Sequence, residues 1–157
     1  MPSMTLEVKI AQFLTSHKKT LAVAESCSGG LLGHRITQVP GSSHFFIGGF
    51  ITYSNASKIT LLKVPVKILK EHGSVSEAVS LEMARRARMI LKTDYGVGIT
   101  GIAGPGGGSK NKPVGLTYIA VAGPRDAVSI KCCFKGSREK IKEQATTQAL
   151  KLLREFM

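Results

Sequence analysis

Apolar residues first recur along this chain at a helical spacing. Leu6, Ile10, Phe13 and Leu14 share one face of residues 4–18, which predicts an amphipathic helix. The short run TLAVA at 20–24 reads as a buried strand. After Ser28-Gly29-Gly30, LLGHRITQV predicts a helix that stops before Pro40. FFIGGFITY is rich in aromatic and β-branched residues and predicts a second strand, bent at Gly48-Gly49. NASKITLL predicts a short helix with Asn55 as its cap, and Pro65 opens another that ends at Gly73. Ser76 caps a longer helix, EAVSLEMARRARMILK, with Val79, Met83, Ala87 and Ile90 as its apolar stripe. YGVGITG predicts a third strand, and GIAGPGGGSKNKP a loop. VGLTYIAVAG and AVSIKCCFKG predict two strands joined around Gly123-Pro124-Arg125. Ser137 caps a terminal helix that turns Ile141, Ala145, Ala149, Leu152 and Leu153 inward.

Helices and strands alternate at first, and then two strands meet in a hairpin. This order predicts a three-layer α/β/α sandwich with a mixed β-sheet, formed as a single domain over residues 1–157.

Composition narrows the function classes. The chain is 43% apolar and 20% charged, a globular balance. No apolar run approaches the roughly 20 residues that span a bilayer, and the N-terminus lacks the apolar core of a signal peptide. A cytoplasmic protein without a membrane association is expected. The cysteines Cys27, Cys132 and Cys133 have no zinc-site spacing and read as reduced thiols, while the four histidines are scattered. No metal and no cofactor are therefore expected. The formal charge of +12 comes from dispersed Lys and Arg residues. With only 6% aromatics and no tryptophan, it reads as solvated basic faces or attraction for a small anion. A nucleic-acid module would rest on charge alone, so no specific nucleic-acid partner is expected.

Ligands in open α/β sheets bind beyond the carboxyl ends of strands, and three expected strands end in distinctive sequences. AESCSGG carries serines and glycines before a helix, where exposed amides can hold an anion or simply form a capped turn. GITGIAGPGGGSK lacks the GK pair of a phosphate loop, and reads either as a nest of amides or as a long glycine loop. The third, within GSSHFFIGGFITYSNASK, is open between two readings. One is a plain strand with an exposed lysine and a packed tyrosine. The other is a serine–tyrosine–lysine hydrolytic trio, which requires a lysine whose pKa is lowered far enough to accept the serine proton.

In order and spacing, AESCSGG, GSSHFFIGGFITYSNASK, HGSVSE and GITGIAGPGGGSKNKPVG closely resemble the C-terminal domain family of the competence/damage-inducible protein CinA. The resemblance runs from about residue 5 to 155. It implies hydrolysis of the carboxamide of nicotinamide mononucleotide to nicotinate mononucleotide and ammonia, in pyridine nucleotide recycling. It also implies an α/β/α fold and a homo-oligomer, and the extra N-terminal domain of larger CinA proteins is not expected here. The family's catalytic serine, tyrosine and lysine match Ser43, Tyr53 and Lys58. The substrate pocket implied by the resemblance is lined by Ser26, Ser28, Gly29, Gly30, Thr100, Gly101, Ala103 and Gly104. The family's arginine after the last strand matches Arg138, as a phosphate ligand. Two departures stand out: Ser28 replaces a common threonine, and Ser137 replaces the usual aspartate before that arginine. A non-catalytic nucleotide-binding homologue is the alternative reading.

Overall fold

The structure is a computed structural model that describes residues 3–157. Five strands form one mixed sheet in the order β2-β1-β3-β4-β5. The strands are β1 (Leu21–Glu25), β2 (Phe46–Ile51), β3 (Tyr95–Gly101), β4 (Leu116–Ala122) and β5 (Ala127–Cys133). β1 runs parallel to both β2 and β3, whereas β4 is antiparallel to β3 and to β5. The helices are α1 (Leu6–Ser16), α2 (Leu31–Thr37), α3 (Asn55–Leu62), α4 (Val66–His72), α5 (Glu77–Leu91) and α6 (Arg138–Phe156).

Helices cover both faces, as the alternation of elements predicts. On one face, Ile10 and Leu14 of α1, Leu32 and Ile36 of α2, and Ala145, Ala149 and Leu153 of α6 pack on Leu21, Val23, Val97 and Ile119. On the other, Leu62, Leu69, Val79, Met83 and Ala87 pack on Ala22 and Ala24. Small residues on this second face let α5 approach closely. At Gly98 an added Cβ would lie 2.6 Å from the Ser80 carbonyl oxygen and 2.8 Å from the Ala84 nitrogen. Glycine is therefore required there by contact with backbone, which cannot rotate away.

Some local expectations shift. Ser54, and not Asn55, caps α3: its hydroxyl accepts from the Ser57 amide, and Asn55 is already helical. Ile90 is 42% exposed, and Ala84 takes the buried place on α5, because the helix rotates toward the glycines of β3. The irregularity in β2 falls at Ile47, where the register passes from Leu21↔Phe46 to Ala22↔Gly48.

This topology gathers one set of loops. Parallel β1, β2 and β3 end on the same side of the sheet. Antiparallel pairing brings the start of β4 and the end of β5 to that side, with Thr117 opposite Gly101 and Cys133 opposite Leu116. Arg138, at the start of α6, is delivered there by the end of β5.

Candidate functional site

A cavity of about 530 Å³ opens beyond these strand ends. Ser26 and Cys27 enter it from the turn after β1, and Tyr53 and Lys58 from the end of β2 and the first turns of α3. Thr100–Gly104 come from β3 and its loop, and Arg138 from α6. The expected convergence of three strand ends is thus a feature of the fold.

Lys58 is the unusual member, with 1% of its surface exposed. Its Nζ lies 2.8 Å from the Thr52 carbonyl oxygen, 3.5 Å from that of Tyr53 and 3.1 Å from Ser26 Oγ. No carboxylate pairs with it among the described residues. Burial without a counter-charge disfavours the ammonium form and brings the pKa down to about 8. The three acceptors match the three protons of the ammonium. In the neutral amine, the two carbonyls hold two N–H groups and leave the lone pair facing Ser26 Oγ. The arrangement therefore satisfies the nitrogen in both protonation states, as a group that gains and loses a proton requires.

Cys27 stands beside this pair, but burial raises its pKa to about 11. It stays a thiol at neutral pH, unsuited to nucleophilic attack. The turn that carries Ser26 has amides to spare. The Gly29 and Leu31 amides bond back to the Ser26 and Ser28 carbonyls, and that of Ser26 bonds to Ile99. Among the described residues, the Cys27 and Ser28 amides have no such partner.

Arg138 closes the opposite wall. Its guanidinium donates to the Gly104 carbonyl oxygen at 2.6 Å and to Tyr53 Oη at 2.7 Å. Both acceptors are neutral, and Ser137, beside the arginine, uses its hydroxyl to cap α6 through the Lys140 amide. No ion pair of Arg138 occurs among the described residues, so its positive charge at the rim is suited to an anionic ligand.

The structure does not bring Ser43 to this cavity. Ser43 is exposed in a 3₁₀ turn, Ser42–His44, that precedes β2. The adjacent Phe45 carbonyl bonds to the Leu21 amide at the start of β1. The cavity lies beyond the other end of both strands, roughly 20 Å away at about 3.3 Å per strand residue. The serine within reach of Lys58 is Ser26. Tyr53 also differs from expectation: it lines the cavity, but its hydroxyl bonds to Arg138, and only its backbone carbonyl approaches Lys58.

Of the expected lining residues, Ser26, Thr100, Gly101, Ala103, Gly104 and Arg138 face the cavity. Ser28, Gly29 and Gly30 do not line it. Ser28 is fully buried, and Gly29 and Gly30 adopt φ of +58° and +102° to turn the chain into α2. Gly73, Ser74, Val75 and Lys112 also form the wall. The motif HGSVSE contains the first three, yet no chemistry in those residue types marked them. Lys112 reaches the site by donating to the His72 carbonyl oxygen at 2.8 Å. Among the described residues no cluster of His, Cys, Asp or Glu is arranged for a metal ion, and no helix is long and apolar enough to cross a membrane.

Residues 3–157 match the profile of the CinA C-terminal domain. The chain belongs to that family. A CinA-like protein of Koribacter versatilis is 46% identical over 150 residues, covering 96% of this chain and 36% of the relative. A CinA-like protein of Acaryochloris marina is 47% identical over 152 residues, with 96% and 36% covered. The chain therefore spans about a third of the length of these CinA relatives. Among solved structures, the competence/damage inducible protein CihA of Agrobacterium tumefaciens superposes with a TM-score of 0.94 at 33% identity, covering 99% of this chain and 98% of that one. A CinA superfamily protein of Escherichia coli gives 0.93 at 30% identity, covering 97% and 88%.

Proposed function

We propose that the chain is an amidohydrolase that converts nicotinamide mononucleotide to nicotinate mononucleotide and ammonia, with Ser26 as nucleophile and Lys58 as its base. The observation that carries this reading is the 3.1 Å contact between Lys58 Nζ and Ser26 Oγ, made by a buried lysine whose pKa is lowered to about 8. At pH 7 roughly a tenth of Lys58 is then neutral, enough for a base matched to a serine hydroxyl.

The steps follow from the positions. Neutral Lys58 takes the Ser26 proton as Oγ attacks the carboxamide carbon. The amide of Cys27, which lines the cavity, is free to donate to the oxyanion; such a donor is typically worth about 10²–10³ in rate. The Lys58 ammonium returns its proton to the departing nitrogen, and ammonia leaves an acyl ester on Ser26. Lys58, neutral again, activates a water that hydrolyses the ester. Tyr53 has no proton-transfer step here: its hydroxyl, which accepts from Arg138, contacts neither Ser26 nor Lys58 among the described hydrogen bonds, and only its backbone carbonyl approaches the lysine.

The substrate assignment draws on the family resemblance and on the shape and charge of the cavity. Its 530 Å³ suits a mononucleotide, within the ~300–1,000 Å³ usual for small-molecule sites. The guanidinium of Arg138 offers a place for the 5′-phosphate. The test is ammonia release by the purified protein from nicotinamide mononucleotide. Retained nucleotide binding without ammonia release would leave a binding protein in place of an enzyme.

A further inference from the structure

One buried ionisable group has no part in these steps. Glu25 ends β1, is 2% exposed and forms no ion pair among the described residues. Its carboxylate instead accepts two backbone hydrogen bonds from the start of α2, from the Leu32 amide at 2.8 Å and the Gly33 amide at 3.0 Å. A carboxylate out of water is costly unless its lone pairs are well satisfied, and the helix N-terminus satisfies them.

A cap alone does not require this solution. Helices are ordinarily capped by a Ser, Thr, Asp or Asn side chain at the N-cap itself. In α2 that position is Gly30, with no side chain to offer, and the acceptor comes from five residues upstream. Between Glu25 and Gly30 lies the turn that carries Ser26 and the free amides of Cys27 and Ser28. The carboxylate therefore ties the far end of this turn to the strand end where it begins. The backbone of Glu25 acts on the other partner. Its carbonyl oxygen accepts the Thr52 amide at 2.8 Å, and the Thr52 carbonyl in turn accepts from Lys58 Nζ at 2.8 Å. One residue thus fixes the chain segments that present both members of the Ser26–Lys58 pair.

We infer that Glu25 is a positioning residue: its carboxylate, clamped on the Leu32 and Gly33 amides, holds Ser26 Oγ and the adjacent amides in register with Lys58. The inference rests on the serine–lysine reading above. Glutamine has nearly the same shape, but one carboxylate oxygen becomes an NH₂ group that faces an N–H donor. Glu25→Gln should release one amide and loosen the turn. Lys58 keeps its burial and its carbonyl partners, so its pKa stays where it is.

The experiment has two readouts, each corrected for the folded fraction measured by circular dichroism. The first is labelling of Ser26 by a serine-reactive fluorophosphonate, identified by mass spectrometry, which needs no knowledge of the amide substrate. The second is ammonia release from nicotinamide mononucleotide across pH. Glu25→Gln should lower the labelling rate and kcat together, by about a hundredfold for a displacement near 1 Å, with KM and the acidic limb unmoved. Should Glu25→Gln not fold, Glu25→Asp is read in its place, since its shorter side chain keeps the charge but cannot span both amides.

Labelling and kcat at the wild-type level in the folded fraction of either variant would overturn the positioning role, as would failure of the wild-type protein to label at Ser26. Labelling that depends on Glu25, without turnover of the mononucleotide, would retain the role and discard only the proposed substrate.

Discussion

Lys58 Nζ and Ser26 Oγ meet at 3.1 Å although 32 residues separate them in the chain. Neither is close to Ser43, which the GSS stretch singles out by resemblance. Ser26→Ala should abolish ammonia release while leaving nucleotide binding intact, and Ser43→Ala should retain near-wild-type kcat. The assay is steady-state ammonia release with both variants confirmed folded. Loss of activity in Ser43→Ala alone would return the nucleophile to the start of β2.

The rate should follow the protonation of Lys58. The ammonium is inactive and the free amine active, so kcat/KM should rise with pH through about 8, the value to which burial lowers this lysine. Lys58→Arg should be as inactive as Lys58→Ala, because a guanidinium does not deprotonate in this range. The phosphate of the substrate titrates near pH ~6, so the dephosphorylated riboside serves as the control. A limb that follows the substrate phosphate, or substantial activity in the arginine variant, would remove Lys58 from the base role.

The same titration should be visible in stability. The pKa of Lys58 falls from 10.5 in the ordinary state to about 8 when folded, so between these values the folded protein binds fewer protons than the unfolded chain. Stability contributed at this site should therefore rise with pH across that window. Cys27 acts in the opposite direction, since its pKa is raised from 9.0 to about 11. The comparison that isolates Lys58 is wild type minus Lys58→Met, with Cys27 present in both. The difference in denaturation free energy should increase from pH 8 to 10, and a flat difference would contradict the lowered pKa.

Arg138→Ala should raise KM for the mononucleotide by about tenfold or more, the usual scale for a charged hydrogen bond, and change the riboside little. Tyr53→Phe should act in the same direction but more weakly, because the Gly104 carbonyl still holds the guanidinium. Equal loss for both substrates would place the phosphate elsewhere.

Gly98→Ala tests the fold. The new methyl group would press on backbone of α5 at Ser80 and Ala84, so a loss of about 1–3 kcal/mol is expected. Urea denaturation with an unchanged m-value measures it; wild-type stability would show that α5 can yield.

The elements were legible in the sequence because their signals are local. The apolar stripe of α6, from Ile141 to Leu153, is buried as its period requires. The alternation of helices and strands, together with the final hairpin, defined the mixed sheet and its two helical layers. The segments that surround the cavity were legible too, since turns after parallel strands gather at one end of a sheet. Which side chains meet there is not a local property. Ser43, Tyr53 and Lys58 lie near one another in the chain, but an extended strand of six residues separates its ends. Ser26 lies far from Lys58 in sequence, yet β1 and β2 are adjacent and parallel, so their C-terminal ends deliver both to one point. The burial that lowers the Lys58 pKa exists only once α3, β1 and β2 have packed. Sequence alone therefore determined the residue types and the elements that carry them. Tertiary pairing decided which serine faces the lysine, and burial in the packed fold lowered the proton affinity of that lysine.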